Sequence, residues 1–423
     1  LKYLFVHQNF PGQYLHIVQH LQSNPDNDVV FITEPNSNTM PGVRRVVYEL
    51  GRKPRMDIHV NARDHEMAAY RAEKVAESAR QLKSLGFTPD IIIGHHGWGE
   101  LLNLGDVWPG VPILGYFEFY YHTIGYDVNF DPEFPMAPNF QPAVRAMNTL
   151  NHLALALNQY GQSPTHFQRN AFPSWTHDRI KLLPEATRLD ICRPDPEAYT
   201  TRQSFGEFHI EPGEPLITFV ARNLEPYRGF HTLMRALPAI FKARPDAKVV
   251  MLGGDEVSYG ARLATGSWKN HFITEMRGKY DASRVLMPGQ IHYEPYVRLL
   301  QRSNAHVYLT YPFVASWSLR EALACGCAVV AADVEPVREF VSDHVNGLLT
   351  PCLDHEKLAE NILTVLETPK LARKLRTGAR RYAETHLDMR HHIDAFEARI
   401  TELTGKQVAS PSKATRRPVK AGA

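Results

Sequence analysis

Cysteine is scarce in this chain: Cys192, Cys325, Cys327 and Cys352 are the four in 423 residues. They form neither a disulfide framework nor a zinc-ligand spacing, because Cys325 and Cys327 flank Gly326 with no second ligand pair nearby. They read as small apolar fillers at a helix end, and a reducing cytoplasmic setting suits them. Long apolar runs are missing too. No stretch of about 18 uninterrupted apolar residues exists, so no membrane span is expected. Leu1–Val6 is too short for the apolar core of a secretion signal and has no small-residue cleavage site, so it is expected to be a buried first strand. Charge of one sign is also absent, with a formal net charge of +2. That balance gives no basic footprint of the kind nucleic-acid binders carry, and no nucleic-acid partner is expected.

What the chain does have is ordinary globular composition, 43% hydrophobic and 22% charged, over a length that implies two cores. Apolar runs of strand length alternate with helix-like segments. Expected strands are 3–6, 29–32, 44–48, 91–94, 113–117, 153–157 and 180–183. After the turn-like Glu211-Pro212-Gly213-Glu214 the pattern restarts, with expected strands 216–220, 248–252, 285–287, 306–309 and 328–331. Two such series predict an α/β protein with two doubly wound, Rossmann-like domains facing across a cleft. The expected division is 1–205 for an N-terminal, acceptor-side domain and 206–385 for a C-terminal, nucleotide-binding domain. A helix over 386–404 is expected to return to the N-terminal domain, and 405–423 to be a basic disordered tail.

Two stretches carry chemistry. In Arg222-Asn223-Leu224-Glu225-Pro226-Tyr227-Arg228-Gly229 two arginines six apart follow a strand, where bidentate guanidinium donors can converge on phosphate. In Tyr311–Ala331 a strand, a loop, a helix and a glycine stop follow one another. Ser316 and Ser318 sit where that helix begins, and its exposed N–H groups suit a diphosphate. Glu321 lies within the next turn or two.

Together these stretches resemble the family 4 nucleotide-sugar glycosyltransferases, retaining enzymes of the GT-B fold. The resemblance extends to Leu252-Gly253-Gly254-Asp255 and to Pro288-Gly289-Gln290-Ile291. It includes Glu321-Ala322-Leu323-Ala324-Cys325-Gly326-Cys327-Ala328-Val329-Val330-Ala331, and also Glu339-Phe340-Val341 with Asn346-Gly347-Leu348-Leu349. It implies that Arg222 and Arg228 hold the donor diphosphate and that Glu321 accepts hydrogen bonds from the ribose hydroxyls. Gln290 and Ile291 would meet the base, and Ser318 and Leu319 would offer backbone N–H groups to phosphate beside Ser316. Gly12, in Phe10-Pro11-Gly12-Gln13, would let backbone approach the diphosphate.

The chain departs from the family at two places. Where the family often has a first glutamate for the transferred sugar, this chain has Phe313. Where the family's fifth strand ends in a histidine, this chain has Glu118, so the polar role falls to Glu118 or to the nearby His122. His95 and His96, after another strand, are also expected to face the cleft, with His95 a candidate proton carrier.

The literal metal-type pair, Asp26-Asn27-Asp28, is explained by turn chemistry, and no metal cofactor is expected. The resulting expectation is a cytoplasmic, retaining, metal-independent transferase of polysaccharide biosynthesis. It would move a hexose from a UDP- or GDP-sugar to a glycan or lipid-linked saccharide. A sugar phosphorylase, a nucleotide-sugar epimerase and a catalytically silent nucleotide-sugar-binding module stand as alternatives on the same fold. The basic stretch Arg44, Arg45, Arg52, Lys53 and Arg55 offers a peripheral contact with the inner face of a membrane, or a solvated surface.

Overall fold

The computed structural model describes residues 1–408. The expected tail over 405–423 therefore lies almost wholly outside the described residues. Contacts divide the chain into two compact units. The first holds Leu1–Tyr121, Asn139–Pro184 and the chain from Ile393 onward, and the second holds His122–Pro138 and Glu185–His392.

In the first unit the strands are β1 (Lys2–Val6), β2 (Asp28–Thr33), β3 (Arg44–Val47), β4 (Ile91–His95), β5 (Ile113–Tyr116), β6 (Tyr160–Ser163) and β7 (Ile180–Leu182). They form one sheet in the order β3-β2-β1-β4-β5-β6-β7. Every pairing is parallel, with Tyr3 opposite both Val29 and Ile91. The central strands are apolar on both faces because helices cover both. Leu4, Val30 and Ile92 pack on one side with Val75 and Ala79 of the helix Arg63–Ser84. Tyr3, Phe5, Phe31 and Ile93 pack on the other with Ile17, Val18 and the C-terminal helix residues Phe396 and Ile400.

One expected strand is corrected. Residues 153–157 close the helix Thr149–Ala156, and the sixth strand is Tyr160–Ser163 instead. Leucine and alanine in that run are strong helix formers. The true strand carries small and polar residues because Phe117 lies against it: a Cβ on Gly161 would come within 2.7 Å of the Phe117 ring.

The second unit opens with an antiparallel hairpin, β8 (Gln203–Phe205) and β9 (Phe208–Ile210). Its main sheet contains β10 (Leu216–Asn223), β11 (Lys248–Gly254), β12 (Val285–Gly289), β13 (Ala305–Tyr308), β14 (Val329–Ala332) and β15 (Leu348–Thr350). Their order is β12-β11-β10-β13-β14-β15, again parallel throughout.

The units divide near residue 184 rather than 205. Residues 185–205 are tied to the second unit: the Trp317 indole N–H donates to Glu185 at 2.9 Å and the Tyr199 hydroxyl to the Ser303 carbonyl at 2.9 Å. The segment 122–138 also belongs there. Tyr227 donates to Asp127 at 2.7 Å, Tyr311 donates to Asp131 at 2.6 Å, and Arg235 pairs with Glu133.

Among the described residues no helix is long and apolar enough to cross a membrane. All four cysteines are free and buried.

Candidate functional site

Each sheet has a point where the strand order reverses, between β1 and β4 in the first unit and between β10 and β13 in the second. The carboxyl ends of the strands at such a point are where open α/β sheets place ligands. Most of the residues singled out from the sequence fall on those ends.

In the first unit β1 ends at Val6 and is followed by His7, which is buried. Gly12 has φ of +56°, and a Cβ there would stand 2.9 Å from the His7 imidazole Nδ1. Both the backbone conformation and the close approach of His7 therefore favour glycine. His95 closes β4, with its ring centroid 6.2 Å from that of His7. Its Nε2 lies 3.5 Å from a Glu118 carboxylate oxygen, so two of the expected polar residues are brought together.

His7 is one of the residues that sequence reasoning missed. Burial, with His95 adjacent, depresses its pKa to about 4, so it is neutral near pH 7. Its signal was a lone histidine at a strand end three residues before Phe10-Pro11-Gly12.

One expectation changes here. His96 is buried and its Nδ1 faces the Tyr116 carbonyl at 2.7 Å, so it positions the end of β5 instead of presenting a free ring. Glu118 is half-buried and keeps 38% of its side-chain surface. His122 lies in the second unit, stacked on Tyr126 with centroids 4.2 Å apart.

In the second unit β10 delivers the arginine loop. Arg222 is exposed at the strand end and Arg228 is buried. Gly229 has φ of +69°, and a Cβ there would overlap the Leu309 side chain, so glycine lets this loop close on the end of β13. The Arg228 guanidinium Nη1 donates to Thr310 Oγ1 at 2.8 Å and to the Val314 carbonyl at 3.1 Å. Its carbon sits 4.9 Å from the Tyr259 ring centroid, a cation–π contact.

Glu225 is fully buried, and it accepts the backbone N–H groups of Ser258 at 3.2 Å and Tyr259 at 3.3 Å. It thereby fixes the loop that carries Tyr259. Burial pushes the Glu225 carboxyl up to about 7. Its role was not legible in the sequence, because its partners lie more than 30 residues away.

The helix Trp317–Ala324 begins beside the same loop, with Ser316 as its N-cap residue. Ser316 donates its backbone N–H to the Tyr308 hydroxyl at 2.8 Å, and its own hydroxyl bonds Ser318 Oγ at 2.7 Å. Leu319, expected to offer its N–H to phosphate, instead donates to the Ser316 carbonyl at 3.3 Å. The N–H groups of the turn before it have no partner within the helix.

Glu321 is held by two phenols, Tyr293 at 2.9 Å and Tyr296 at 2.6 Å, and burial raises its pKa. A carboxylate already accepting hydroxyl donors has the chemistry required to accept a ribose diol. Gln290 is exposed and Ile291 half-buried, immediately after β12 and before the helix that carries both phenols.

Phe313 is buried at 2% exposure. Its ring lies against Tyr227, at 5.4 Å between centroids, and Tyr259, at 5.0 Å. An aromatic box therefore fills the position where the family usually has a carboxylate.

One group among the described residues has metal-like spacing: Asp131, Glu133 and His231. Asp131 Oδ2 lies 3.1 Å from His231 Nε2 and accepts the Tyr311 hydroxyl, while both Glu133 oxygens accept from Arg235. A cation there would compete with a bidentate guanidinium, and the group reads as a polar network that fastens 122–138. The basic stretch near Arg44 is largely neutralised: Arg44 pairs with Asp28, Arg52 with Glu66 and Arg55 with Asp57. That pairing favours a solvated surface.

Two Rossmann-like units, each a parallel sheet with polar residues at its switch point, are the elements of the GT-B fold. The chain matches the model of the glycosyl transferase family 4 group over residues 25–191 and that of the glycosyl transferases group 1 over residues 201–382. It belongs to the family 4 glycosyltransferases.

Among curated relatives, it is 27% identical over 203 residues to a D-inositol 3-phosphate glycosyltransferase of Segniliparus rotundus, covering 47% of this chain and 41% of the relative. It is 28% identical over 177 residues to a phosphatidyl-myo-inositol mannosyltransferase of Mycolicibacterium smegmatis, covering 40% and 41%. These matches span well under half the length of either relative. A longer match, 24% identical over 292 residues, is to a GDP-mannose-dependent monoacylated alpha-(1-6)-phosphatidylinositol monomannoside mannosyltransferase of Corynebacterium glutamicum, covering 66% and 68%.

Among solved structures, a sucrose-phosphate synthase from Thermosynechococcus elongatus aligns with a TM-score of 0.73 at 16% identity, over 96% of this chain and 99% of that one. Anabaena HepE in complex with UDP and glucose aligns with a TM-score of 0.66 at 16% identity, over 95% and 99%. At such identities the structural likeness concerns the fold.

Proposed function

We propose that the protein transfers a hexose from a nucleoside diphosphate sugar to a saccharide or lipid-linked acceptor, with retention at the anomeric carbon and without a catalytic metal. The observation that carries this reading is the buried Arg228. It is fixed by Thr310, the Val314 carbonyl and the Tyr259 ring beside the start of the helix Trp317–Ala324. Negative charge grows on the departing diphosphate as the glycosidic bond breaks. Donors already in place around that charge supply the largest share of such catalysis, because they need no reorganisation at the moment of reaction. Arg222, Arg228 and the first N–H groups of that helix are those donors. They take the electrostatic role that a divalent cation plays in other sugar transferases.

In this reading Glu321 accepts the ribose hydroxyls in place of, or alongside, Tyr293 and Tyr296, and Gln290 and Ile291 border the base. His95 and Glu118 supply the polar pair that orients the acceptor hydroxyl and takes its proton late in the transfer. The nucleoside diphosphate departs and the acceptor hydroxyl bonds the anomeric carbon on the same face, the stereochemistry being that of the family. One relative is named as GDP-mannose-dependent and a solved structure of similar fold holds UDP, so both bases stay open for this chain. The inositol-lipid acceptors named for two relatives make a lipid-linked acceptor the first to try.

The test is incubation with a panel of UDP- and GDP-sugars with and without glycan or lipid-linked acceptors. Acceptor-dependent release of nucleoside diphosphate, with the product linkage retained by NMR, is the expected outcome. Phosphate-dependent formation of a sugar 1-phosphate would make the protein a phosphorylase, and donor isomerisation an epimerase. Donor binding without turnover would make it a silent module.

A further inference from the structure

Away from the sheet ends, the second unit carries a groove of about 600 Å³ between the loop Ser342–Asn346 and the helix Pro369–His386. The helix has six lysines and arginines and a single acid, Glu384. Its cations divide by face. Arg376 and Arg380 turn inward and are used up: Arg376 donates to the Asn304 carbonyl at 3.2 Å, and Arg380 donates to the Ala324 carbonyl at 2.8 Å and pairs with Glu384. Lys370, Arg373, Lys374 and Arg381 line the groove, all exposed, and make no ion pair among the described residues. Their spacing of 3, 4 and 11 residues from Lys370 places all four on one helical face.

The opposite wall is built, not incidental. Asn346 is buried, donates to the Phe340 carbonyl at 2.8 Å and accepts the Ser342 N–H at 2.7 Å, which pins the loop in a tight turn. Gly378 lets that turn seat against the helix, because a Cβ there would overlap the Val345 carbonyl. The acid nearest in the loop, Asp343, accepts the Leu349 N–H at 2.9 Å. Val345 stands on the rim with 56% of its surface exposed.

We propose that this groove is a docking surface for an anionic phospholipid bilayer. Four unpaired cations on one face attract the negative surface potential of such a membrane, and each adds to the affinity nearly independently. Phosphodiester headgroups enter the groove, where Arg373 and Arg381 offer bidentate donors. The exposed apolar Val345 beside those cations meets the headgroup boundary and gains by leaving water. A soluble anion or a nucleic acid has no use for that apolar rim. The inference does not depend on which sugar or base the protein uses, and it rests on cations of the second unit and not on the Arg44 stretch, where Arg44, Arg52 and Arg55 are already paired.

The experiment is vesicle co-sedimentation of the full chain at about 0.1 M salt, using phosphatidylcholine alone and phosphatidylcholine containing phosphatidylglycerol. A variant carrying Lys370→Gln, Arg373→Gln, Lys374→Gln and Arg381→Gln is compared with one carrying Lys413→Gln, Arg416→Gln, Arg417→Gln and Lys420→Gln. The two lose the same charge. Wild-type protein should bind the phosphatidylglycerol vesicles and not phosphatidylcholine alone. The groove variant should lose at least about tenfold in partition, and the other should change far less. Val345→Asp gives a second readout within the groove and should also weaken binding. Equal losses in the two quadruple variants, or a groove variant that binds like wild type, would overturn the proposal. So would a groove variant that loses binding to a single-stranded oligonucleotide but not to vesicles.

Discussion

Arg222 and Arg228 are expected to share one ligand, yet the structure gives them different surroundings, and alanine substitution should separate what each does. Arg228 is 6% exposed, satisfies Thr310 Oγ1 and the Val314 carbonyl, and stacks on Tyr259. Truncating it leaves two acceptors in a closed site without their donor and removes a cation–π contact, a loss of roughly 2–4 kcal/mol. For a unit of about 200 residues that corresponds to a fall of roughly 5–15 °C in Tm. Arg222 is exposed, so Arg222→Ala should leave stability within about 0.5 kcal/mol of wild type. Turnover should fall in both, by roughly 10²–10³-fold, because under the proposed function each removes a donor aimed at the departing diphosphate. Arg228→Lys should lie between, since an ammonium keeps the charge but cannot reproduce the planar fork. The assay is nucleoside diphosphate release at saturating donor and acceptor, normalised to the folded fraction from circular dichroism. Near-normal transfer per folded Arg228→Ala molecule would sink the clamp, leaving that arginine a purely structural role.

Three further outcomes are expected. Glu118→Gln should cut turnover sharply with donor affinity and Tm nearly unchanged, because its half-exposed side chain contributes little to packing; a destabilised but fully active variant would end that assignment. Treatment with EDTA should leave transfer intact, and loss of activity restored by Mg²⁺ or Mn²⁺ would overturn the metal-free reading and direct attention to Asp131, Glu133 and His231. Glu100 is fully buried, accepts the Tyr48 hydroxyl at 2.6 Å, has a second oxygen with no partner, and is raised by burial to about 7. A carboxyl raised in the folded state lends stability that is complete below about pH 4.5 and is lost as pH rises through 7, up to roughly 3 kcal/mol for this shift. Thermal unfolding between pH 5 and 8 should therefore show a decline that Glu100→Gln flattens, and an unchanged pH profile in that variant would contradict it.

How much of this was legible in the sequence depended on where each residue's partners lie. The strands buried on both faces, such as Tyr3–Val6, Ile91–Ile93 and Leu216–Phe219, announce themselves as nearly unbroken apolar runs, and from them both parallel sheets follow. The strand Tyr160–Ser163 does not. Its pattern is set by the Phe117 ring pressing on Gly161, a contact across 44 positions that no local window contains. The segment 122–138 was equally silent, because its attachment to the second unit rests on Asp127 and Asp131 meeting tyrosines about 100 and 180 residues away.

The candidate site shows the same division at finer scale. Arg222, Arg228 and Glu321 were visible because charged residues at the ends of apolar elements have few structural reasons to be there. His7 and Glu225 were not, since a lone histidine and a lone glutamate acquire meaning through neighbours that the fold supplies. Phe313 was visible as a missing carboxylate, and the structure adds the physical consequence. With Tyr227 and Tyr259 packed on it, that position is a closed aromatic box and cannot also receive a sugar hydroxyl. The same box presents Tyr259 to Arg228 through a loop fixed by Glu225. A position where the resemblance implies a glutamate for the transferred sugar is here part of the support for Arg228, the centre of the proposed phosphate clamp. In the proposed transfer, selection among donor sugars therefore rests on groups outside the box.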